Sequence, residues 1–200
     1  MKKVYVWDLF VRLFHWSIVA LVAFQWASAE LEDEWMDAHL IGGYVVLGLV
    51  ASRTLWGFVG SRYARFSNFV RGVQPTLAYA QALRDNNAPR NLGHNPLGGW
   101  MVLALLSLLA FMGLTGLFAS DDVMTQGPLS YLVSDDIGHA IKEIHEAGFN
   151  ILLALVGLHV AAIAAYRRFK GENLAKAMVT GYKDEGNELP PGKGNEEGNG

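Results

Sequence analysis

Long runs of residues without a charged side chain constrain the fold of this chain more than any other feature. Three runs contain no Asp, Glu, Lys or Arg: residues 13–29, 91–120 and 147–166. A fourth run, residues 40–59, is interrupted only by Arg53. Runs of this length are typical of membrane-spanning helices, because about 20 apolar residues cross a bilayer core about 30 Å thick.

The sequence therefore predicts an all-α membrane protein, a bundle of four transmembrane helices. The expected spans are about residues 10–29, 39–59, 97–119 and 144–166. The first span is not expected to be a cleaved signal peptide, because it has no convincing small-residue cleavage site and a polar, aromatic-rich opening replaces the usual n-region.

Two further segments are distinguished by their composition. Residues 75–86, between the second and third spans, predict a short amphipathic helix at the membrane interface. Residues 183–200 are rich in Gly, Glu and Asn and cannot bury apolar surface, so they predict a disordered tail. Residues 1–182 are expected to form the transmembrane domain.

The charged residues separate into two sides. The loops after the first and third spans carry acidic residues and no Lys or Arg: Glu30, Glu32, Asp33, Glu34, Asp37, Asp121, Asp122, Asp135 and Asp136. The opposite side collects the Lys and Arg residues, and Lys142 is the exception. By the positive-inside rule both termini are cytoplasmic. We expect a multi-pass protein of the bacterial inner (plasma) membrane that contacts lipid and binds no nucleic acid.

Histidines occur at two matching depths in these spans. His145 and His159 are 14 residues apart, which is ~21 Å along a helix and within about 40° around it. His39 opens the second span from the acidic side, and His15 lies near the basic side. The pairs His15/His159 and His39/His145 therefore match in level. Facing imidazoles from different helices are what a haem in a bundle core requires, so the sequence predicts two b-type haems with these four axial ligands.

Each histidine considered alone has another explanation. An isolated intramembrane histidine can equally be an interhelical hydrogen-bonding residue or part of a proton path. His94 is expected to be structural or part of a quinone pocket, and His139 points about 120° away from His145 around a shared helix. Cysteine is absent, which excludes iron–sulfur clusters, thiolate-bound metal and covalent haem attachment through this chain.

Arg12 and Arg53 are candidates for binding the propionates of the inner haem through charge-assisted hydrogen bonds. Snorkelling of both side chains to the lipid headgroups explains their positions equally well. The acidic loops are expected to lower the potential of the outer haem and to attract a basic redox partner.

Four segments resemble the bacterial cytochrome b561 / nickel-hydrogenase b-type cytochrome family. They are VWDLFVRLFHW (6–16), HLIGGYVVLGLVASRTLWGFVG (39–60), GHNPLGG (93–99) and KEIHEAGFNILLALVGLHVAA (142–162). The resemblance extends over roughly residues 4–170. It implies ligands at His15, His39, His145 and His159.

The resemblance also implies a four-helix di-haem protein that moves electrons between the membrane quinone pool and a periplasmic partner. That partner is expected to be a cytochrome c or an oxidoreductase subunit. The chain is then an electron-transfer protein or the membrane cytochrome b subunit of an oxidoreductase, and its oligomeric state is left open. Hydrogenase subunits of the family tend to be longer and to carry an additional transmembrane helix, which disfavours a hydrogenase partner.

Two other functions compete with electron transfer. A superoxide:quinone oxidoreductase-like enzyme requires positive charge around an accessible outer haem, and both outer loops are acidic. A non-haem proton or metal transporter predicts carboxylates inside the spans, whereas Glu143 and Glu146 lie at the rim.

Overall fold

The computed structural model describes residues 3–31, 35–85, 87–121 and 126–184. Four of its helices are long and apolar enough to cross a membrane. They are α1 (Leu9–Glu30), α2 (Met36–Val59), α5 (Pro96–Phe118) and α6 (Asp135–Lys170). The prediction of an all-α membrane protein with four membrane-spanning helices is confirmed.

Short elements complete the chain. Three are helices: α3 (Phe66–Phe69), α4 (Val73–Arg84) and α7 (Leu174–Thr180). Two strands, β1 (Lys3–Tyr5) and β2 (Tyr182–Asp184), pair antiparallel, and a 3-10 helix spans Ser130–Leu132. We call the end of the bundle that carries β1 and β2 the basic end, and the opposite end the acidic end.

The spanning helices pack in the order α1, α2, α5, α6. The backbones of α1 and α2, of α2 and α5, and of α5 and α6 approach each other closely. Among the described residues, the backbones of α1 and α6 do not approach each other as closely. One buried apolar cluster lies inside the bundle: Val46, Val50, Leu106, Leu109 and Leu152. Many outward apolar side chains are exposed, Leu55 and Phe58 by 68% and 69%, as expected of a surface that lipid covers.

A second buried cluster caps the basic end. It joins residues from distant parts of the chain: Val6, Trp7, Val11, Ala64 and Ala177. Glu172, which is buried, forms ion pairs with Arg90 at 2.5 Å and with Lys183 at 3.1 Å. The segment that follows α6 is therefore fixed to the start of α1 and to the loop before α5.

Three elements differ in extent from the predicted segments. Helix α6 begins at Asp135, before the predicted membrane span 144–166, and its first turn carries Asp135 and Asp136, which favour a helix start and which hydropathy alone does not detect. Helix α4 covers Val73–Arg84 instead of 75–86. Lys183 and Asp184, the first residues of the predicted tail, belong to β2 because they pair with β1. The rest of the predicted tail lies outside the described residues.

Candidate functional site

Four histidines of the spanning helices form two pairs, one toward each end of the bundle. The ring centres of His15 in α1 and His159 in α6 are 6.5 Å apart, toward the basic end. Those of His39 in α2 and His145 in α6 are 6.4 Å apart, toward the acidic end. Helix α6 contributes one ring to each. We call these the basic-end pair and the acidic-end pair.

The separation within each pair fits two ligands on opposite faces of one haem iron. An imidazole nitrogen binds a metal ion at about 2 Å and the ring centre lies about 1 Å further, so two trans rings are centred about 6 Å apart. Among the described residues, no group of three or more His, Cys, Asp or Glu side chains could hold a metal ion. Two imidazoles leave further coordination positions of a metal ion unfilled, and the nitrogens of a haem would fill them.

The last two turns of α1 orient the His39 ring. Its Nδ1 atom lies 3.1 Å from the carbonyl oxygen of Gln25 and 3.2 Å from Oγ of Ser28. The Gln25 side chain also donates a 3.0 Å hydrogen bond to the backbone carbonyl of His39. A carbonyl oxygen can only accept, so Nδ1 of His39 carries the proton, and Nε2 keeps the lone pair that a metal needs.

Helix α5 orients the His145 ring in the same way. Nδ1 of His145 is 3.0 Å from Oγ1 of Thr115. The single hydroxyl proton of Thr115 is directed to the carbonyl of Phe111 at 2.9 Å or of Met112 at 3.1 Å, so its oxygen accepts the bond from His145. A Cβ atom at Gly116 would lie 3.1 Å from the ring, so the missing side chain allows the imidazole to lie against α5.

The basic-end pair has different surroundings. Nδ1 of His15 is buried without a hydrogen-bond partner among the described residues, and so are Nε of Arg12 and Nη1 of Arg53. Arg53 is only 3% exposed, and it donates through Nη2 to the carbonyl of Ala64 at 3.2 Å. Arg53 therefore does not snorkel to the headgroups. Buried guanidinium donors without a partner are costly, and a bound carboxylate would satisfy them.

Asp8 is a further residue of the basic end, and the sequence did not indicate its role. Its carboxylate accepts hydrogen bonds from the Val11 amide at 2.8 Å, from the Trp56 indole at 3.0 Å and from the Ser61 hydroxyl. Burial raises the pKa of Asp8, but these three hydrogen bonds and the charge of Arg53 outweigh it and hold the pKa below its usual value. Asp8 therefore stays ionised.

His94 also lies at the basic end, before the first turn of α5. Its ring is 4.7 Å from the rings of both Trp7 and Phe69, and its Nδ1 atom is buried with no hydrogen-bond partner among the described residues. Burial, followed by the charge of Arg53, holds the pKa of His94 well below its usual value. His139 is exposed on the acidic-end extension of α6, apart from both pairs.

Acidic side chains dominate the opposite end. Those in the described residues are Glu30, Asp37, Asp121, Asp135, Asp136, Glu143 and Glu146. Lys142 is 3.4 Å from Asp121 and 3.9 Å from Glu146, so its charge is compensated. Glu32, Asp33, Glu34 and Asp122 lie outside the described residues. The electrostatic field of these carboxylates favours the approach of a positively charged surface.

Sequence reasoning missed the residues that orient the acidic-end pair: Gln25, Ser28 and Thr115. Their only signal is that each is an uncharged polar residue inside an apolar run. Such residues are common in membrane helices, where they also bond to their own backbone. Only the packing of α1 against α2, and of α5 against α6, shows which of them reach a histidine.

Comparison with known proteins identifies one family. A family model described as prokaryotic cytochrome b561 matches residues 6–181, a range that contains both histidine pairs, Arg12 and Arg53. No curated protein and no solved structure matches the chain. The protein therefore belongs to the prokaryotic cytochrome b561 family, multi-pass bacterial membrane proteins that transfer electrons through b-type haem.

Proposed function

We propose that the protein binds two b-type haems and transfers electrons across the inner membrane between the quinone pool and a periplasmic partner. The observation that carries this proposal is the presence of two histidine pairs, with ring centres 6.5 Å and 6.4 Å apart, at two depths of one bundle. A single pair would serve a haem at one depth. Two pairs sharing α6 provide a path from one membrane face to the other.

The side chains of the pairs hold the cofactors in fixed positions. His15 and His159 bind the inner haem, and His39 and His145 bind the outer one. When bound, each haem supplies a one-electron Fe(III)/Fe(II) couple. Leu152, halfway between the two α6 histidines in sequence, belongs to the buried apolar cluster, which keeps water out of the region between the pairs.

Arg12 and Arg53 bind the propionates of the inner haem in this proposal. The support is that each has a buried guanidinium nitrogen without a partner among the described residues. We expect Arg53→Leu to weaken retention of the inner haem, whereas Arg62→Leu, an exposed arginine beyond the end of α2, should retain it. Haem content after gel filtration measures the difference. Equal retention in both variants would remove Arg53 from the site.

The quinone meets the inner haem beside His94 in this proposal. Among the ionisable side chains His94, His139 and Glu146, which are candidates to exchange protons with a quinone, His94 combines a buried nitrogen with the adjacent aromatic rings of Trp7 and Phe69. A neutral imidazole can accept a hydrogen bond from a quinol hydroxyl. We expect His94→Gln to slow haem reduction by a short-chain ubiquinol, and His139→Gln to leave the rate unchanged. An unchanged rate in His94→Gln would move the quinone site elsewhere.

The periplasmic partner carries a basic surface, either as a cytochrome c or as an oxidoreductase subunit. The acidic end supports this choice through its excess of carboxylates. The same excess disfavours a superoxide-oxidising enzyme, because Lys142, the lysine of this end, is already paired with two carboxylates. Membership of a haem-protein family disfavours the proton or metal transporter.

The decisive experiment is a dithionite-reduced minus oxidised optical spectrum of the purified protein, with pyridine haemochrome quantification. Wild type should contain about two haems b per chain, one for each histidine pair. His145→Ala and His159→Ala should each lose a different haem. His139→Ala, a histidine exposed on the same helix, is the matched control and should retain both. Folded protein without haem would sink the proposal.

A further inference from the structure

The two histidine pairs differ in the hydrogen-bond partners of their imidazole rings. At the acidic end both rings are hydrogen-bonded: His39 to the Gln25 carbonyl at 3.1 Å and His145 to Thr115 at 3.0 Å. At the basic end Nδ1 of His15 is buried without a partner, and no hydrogen bond from a described residue reaches His159. Both rings of the acidic-end pair therefore have a hydrogen-bond partner, and neither ring of the basic-end pair has one among the described residues.

A hydrogen bond from Nδ1–H makes an imidazole a more basic ligand. A more basic ligand stabilises ferric iron more than ferrous iron, because the higher charge gains more from the donated electron pair. Second-shell hydrogen bonding is for this reason one of the ways in which a protein lowers a haem potential. His39 and His145 both have this partner, so their contributions act together.

Fixed charges act in the same direction. Glu146 is adjacent to His145 in sequence, and further carboxylates surround the acidic end, which favours the ferric state there. Arg53 is a buried cation at the basic end, where it favours the ferrous state. At the acidic-end pair, the hydrogen bonds and the nearby carboxylates therefore act in the same direction.

We propose that Thr115, together with the Gln25–Ser28 turn of α1, sets the outer haem at a lower reduction potential than the inner haem. These are positioning residues, since they act through His145 and His39. The inference rests on the proposed function, because it requires a haem at each pair. With haem bound at both pairs, one electron would leave the site held by His39 and His145 and be taken up at the site held by His15 and His159.

The consequence is a preferred direction of electron transfer, from the acidic end to the basic end. In the orientation that the charges indicate, this movement carries an electron toward the negative side of an energised membrane, which the membrane potential opposes. A potential difference between the haems offsets that opposition. The protein is therefore suited to accept electrons from a periplasmic donor and deliver them to quinone.

The test is a spectroelectrochemical titration of the purified holoprotein. Wild type should show two waves, and the lower wave should disappear in His39→Ala but persist in His15→Ala. Thr115→Val, which keeps the shape but removes the hydroxyl, should shift the lower wave upward and leave the upper wave in place. Thr115→Ser should restore the wild-type potential, because it restores the acceptor.

Two matched controls separate this effect from general changes in packing. Thr54→Val removes a hydroxyl that bonds to the carbonyl four residues earlier, as that of Thr115 does, but it contacts no histidine. Ser28→Ala, which removes a hydroxyl 3.2 Å from Nδ1 of His39, should also shift the lower wave upward. Ser52→Ala is its control, since both serines bond to the carbonyl three residues earlier. Both controls should leave the two waves unchanged.

Three outcomes are decisive. Two haems with an unshifted lower wave in Thr115→Val would overturn the role of Thr115. A lower wave that disappears in His15→Ala would reverse the order of potentials and overturn the proposal. Absence of haem from folded wild type would instead contradict the proposed function, so the two failures are distinguishable. The g-values of the oxidised outer haem should also change in Thr115→Val, which a purely structural role would not produce.

Discussion

At the basic end, the Asp8 carboxylate connects α1, the end of α2 and the loop that follows α2. It caps α1 through the Val11 amide, and it accepts from Trp56 at the end of α2 and from Ser61 in the following loop. The cap satisfies an amide that would otherwise lack an intrahelical partner. The other two bonds fix the start of α1 against the end of α2, so the depth of His15, seven residues later, follows from Asp8.

His94 should make the stability of the protein depend on pH. Its folded-state pKa lies below the unfolded value of about 6.5, so the unfolded chain binds more protons below that pH. Stability is then fully present above about pH 6.5 and falls as the pH decreases, by at most about 1.4 kcal/mol per pH unit from this group.

Unfolding midpoints followed by tryptophan fluorescence between pH 5.5 and 7.5 measure this slope. His94→Gln should flatten it, and His139→Gln should retain the wild-type slope. A slope that is equally steep in His94→Gln would contradict the prediction.

At the scale of elements, glycines determine how closely α3 approaches α5. A Cβ atom at Gly99 would lie 2.7 Å from the carbonyl oxygen of Phe69, whereas at Gly98 the nearest contact is 3.4 Å, to Asn95 in the same turn. The contact at Gly99 is with backbone, which cannot rotate away. Helix α3 therefore requires glycine at position 99 and not at 98.

The pair Gly99→Ala and Gly98→Ala tests this packing. Gly99→Ala should destabilise the protein by about 1–3 kcal/mol, because α3 must move away from α5. Gly98→Ala should be neutral or stabilising by about 0.5–1 kcal/mol, the usual gain from alanine in a helix. Denaturant unfolding in detergent measures both values. Similar losses in the two variants would be inconsistent with the close approach described here.

Helix α4 is fixed to the bundle by a chain of polar groups. The hydroxyl of Tyr79 lies 2.6 Å from that of Tyr166, which also accepts from the Asn95 amide at 2.8 Å. Burial and the bond to Tyr166 raise the pKa of Tyr79, so it stays protonated. This network connects the loop before α5, the end of α6 and the interfacial helix.

Removal of one hydroxyl should loosen α4. Tyr79→Phe is expected to cost about 0.5–1.5 kcal/mol and to increase amide hydrogen exchange in α4. Tyr44→Phe is the control, since Tyr44 is half exposed and makes no hydrogen bond to a described residue. Unchanged exchange in Tyr79→Phe would show that apolar contacts alone hold α4.

At the scale of the whole molecule, charge divides the protein into two ends. The basic end carries the described chain ends and the polar cap around Glu172, and the acidic end carries the loops that follow α1 and α5. We expect the basic end to face the cytoplasm by the positive-inside rule.

Absence of native cysteine allows a direct test of this orientation. Tyr131→Cys, at the acidic end, should react with an impermeant maleimide in intact spheroplasts. Arg84→Cys, at the basic end, should react only after lysis. Both positions are strongly exposed, so reactivity reports the side of the membrane. The reverse pattern would invert the topology and, with it, the assignment of inner and outer haem.

Much of the fold could be predicted because its determinants are local in sequence. Four apolar runs specify four spanning helices, and fixed rise per residue gives His145 and His159 their separation. The depths of His39 and His15 in the membrane can also be predicted from the sequence, since both residues lie near the ends of predicted spans. Boundaries were less accurate where charged turns extend a helix, as at Asp135, because bilayer hydropathy does not detect them.

Tertiary structure decided what depends on neighbours far away in sequence. Pairing of β1 with β2 joins residues from opposite ends of the chain, so no local pattern indicates it. Burial of Arg53 depends on the loop that folds over it, and composition alone allowed snorkelling equally. Likewise, only helix packing brings Thr115 to His145 and Ser28 to His39. Sequence alone determined the helices and the depths of their histidines, because hydropathy and helical rise are local, whereas the partners of each ring required the packed bundle.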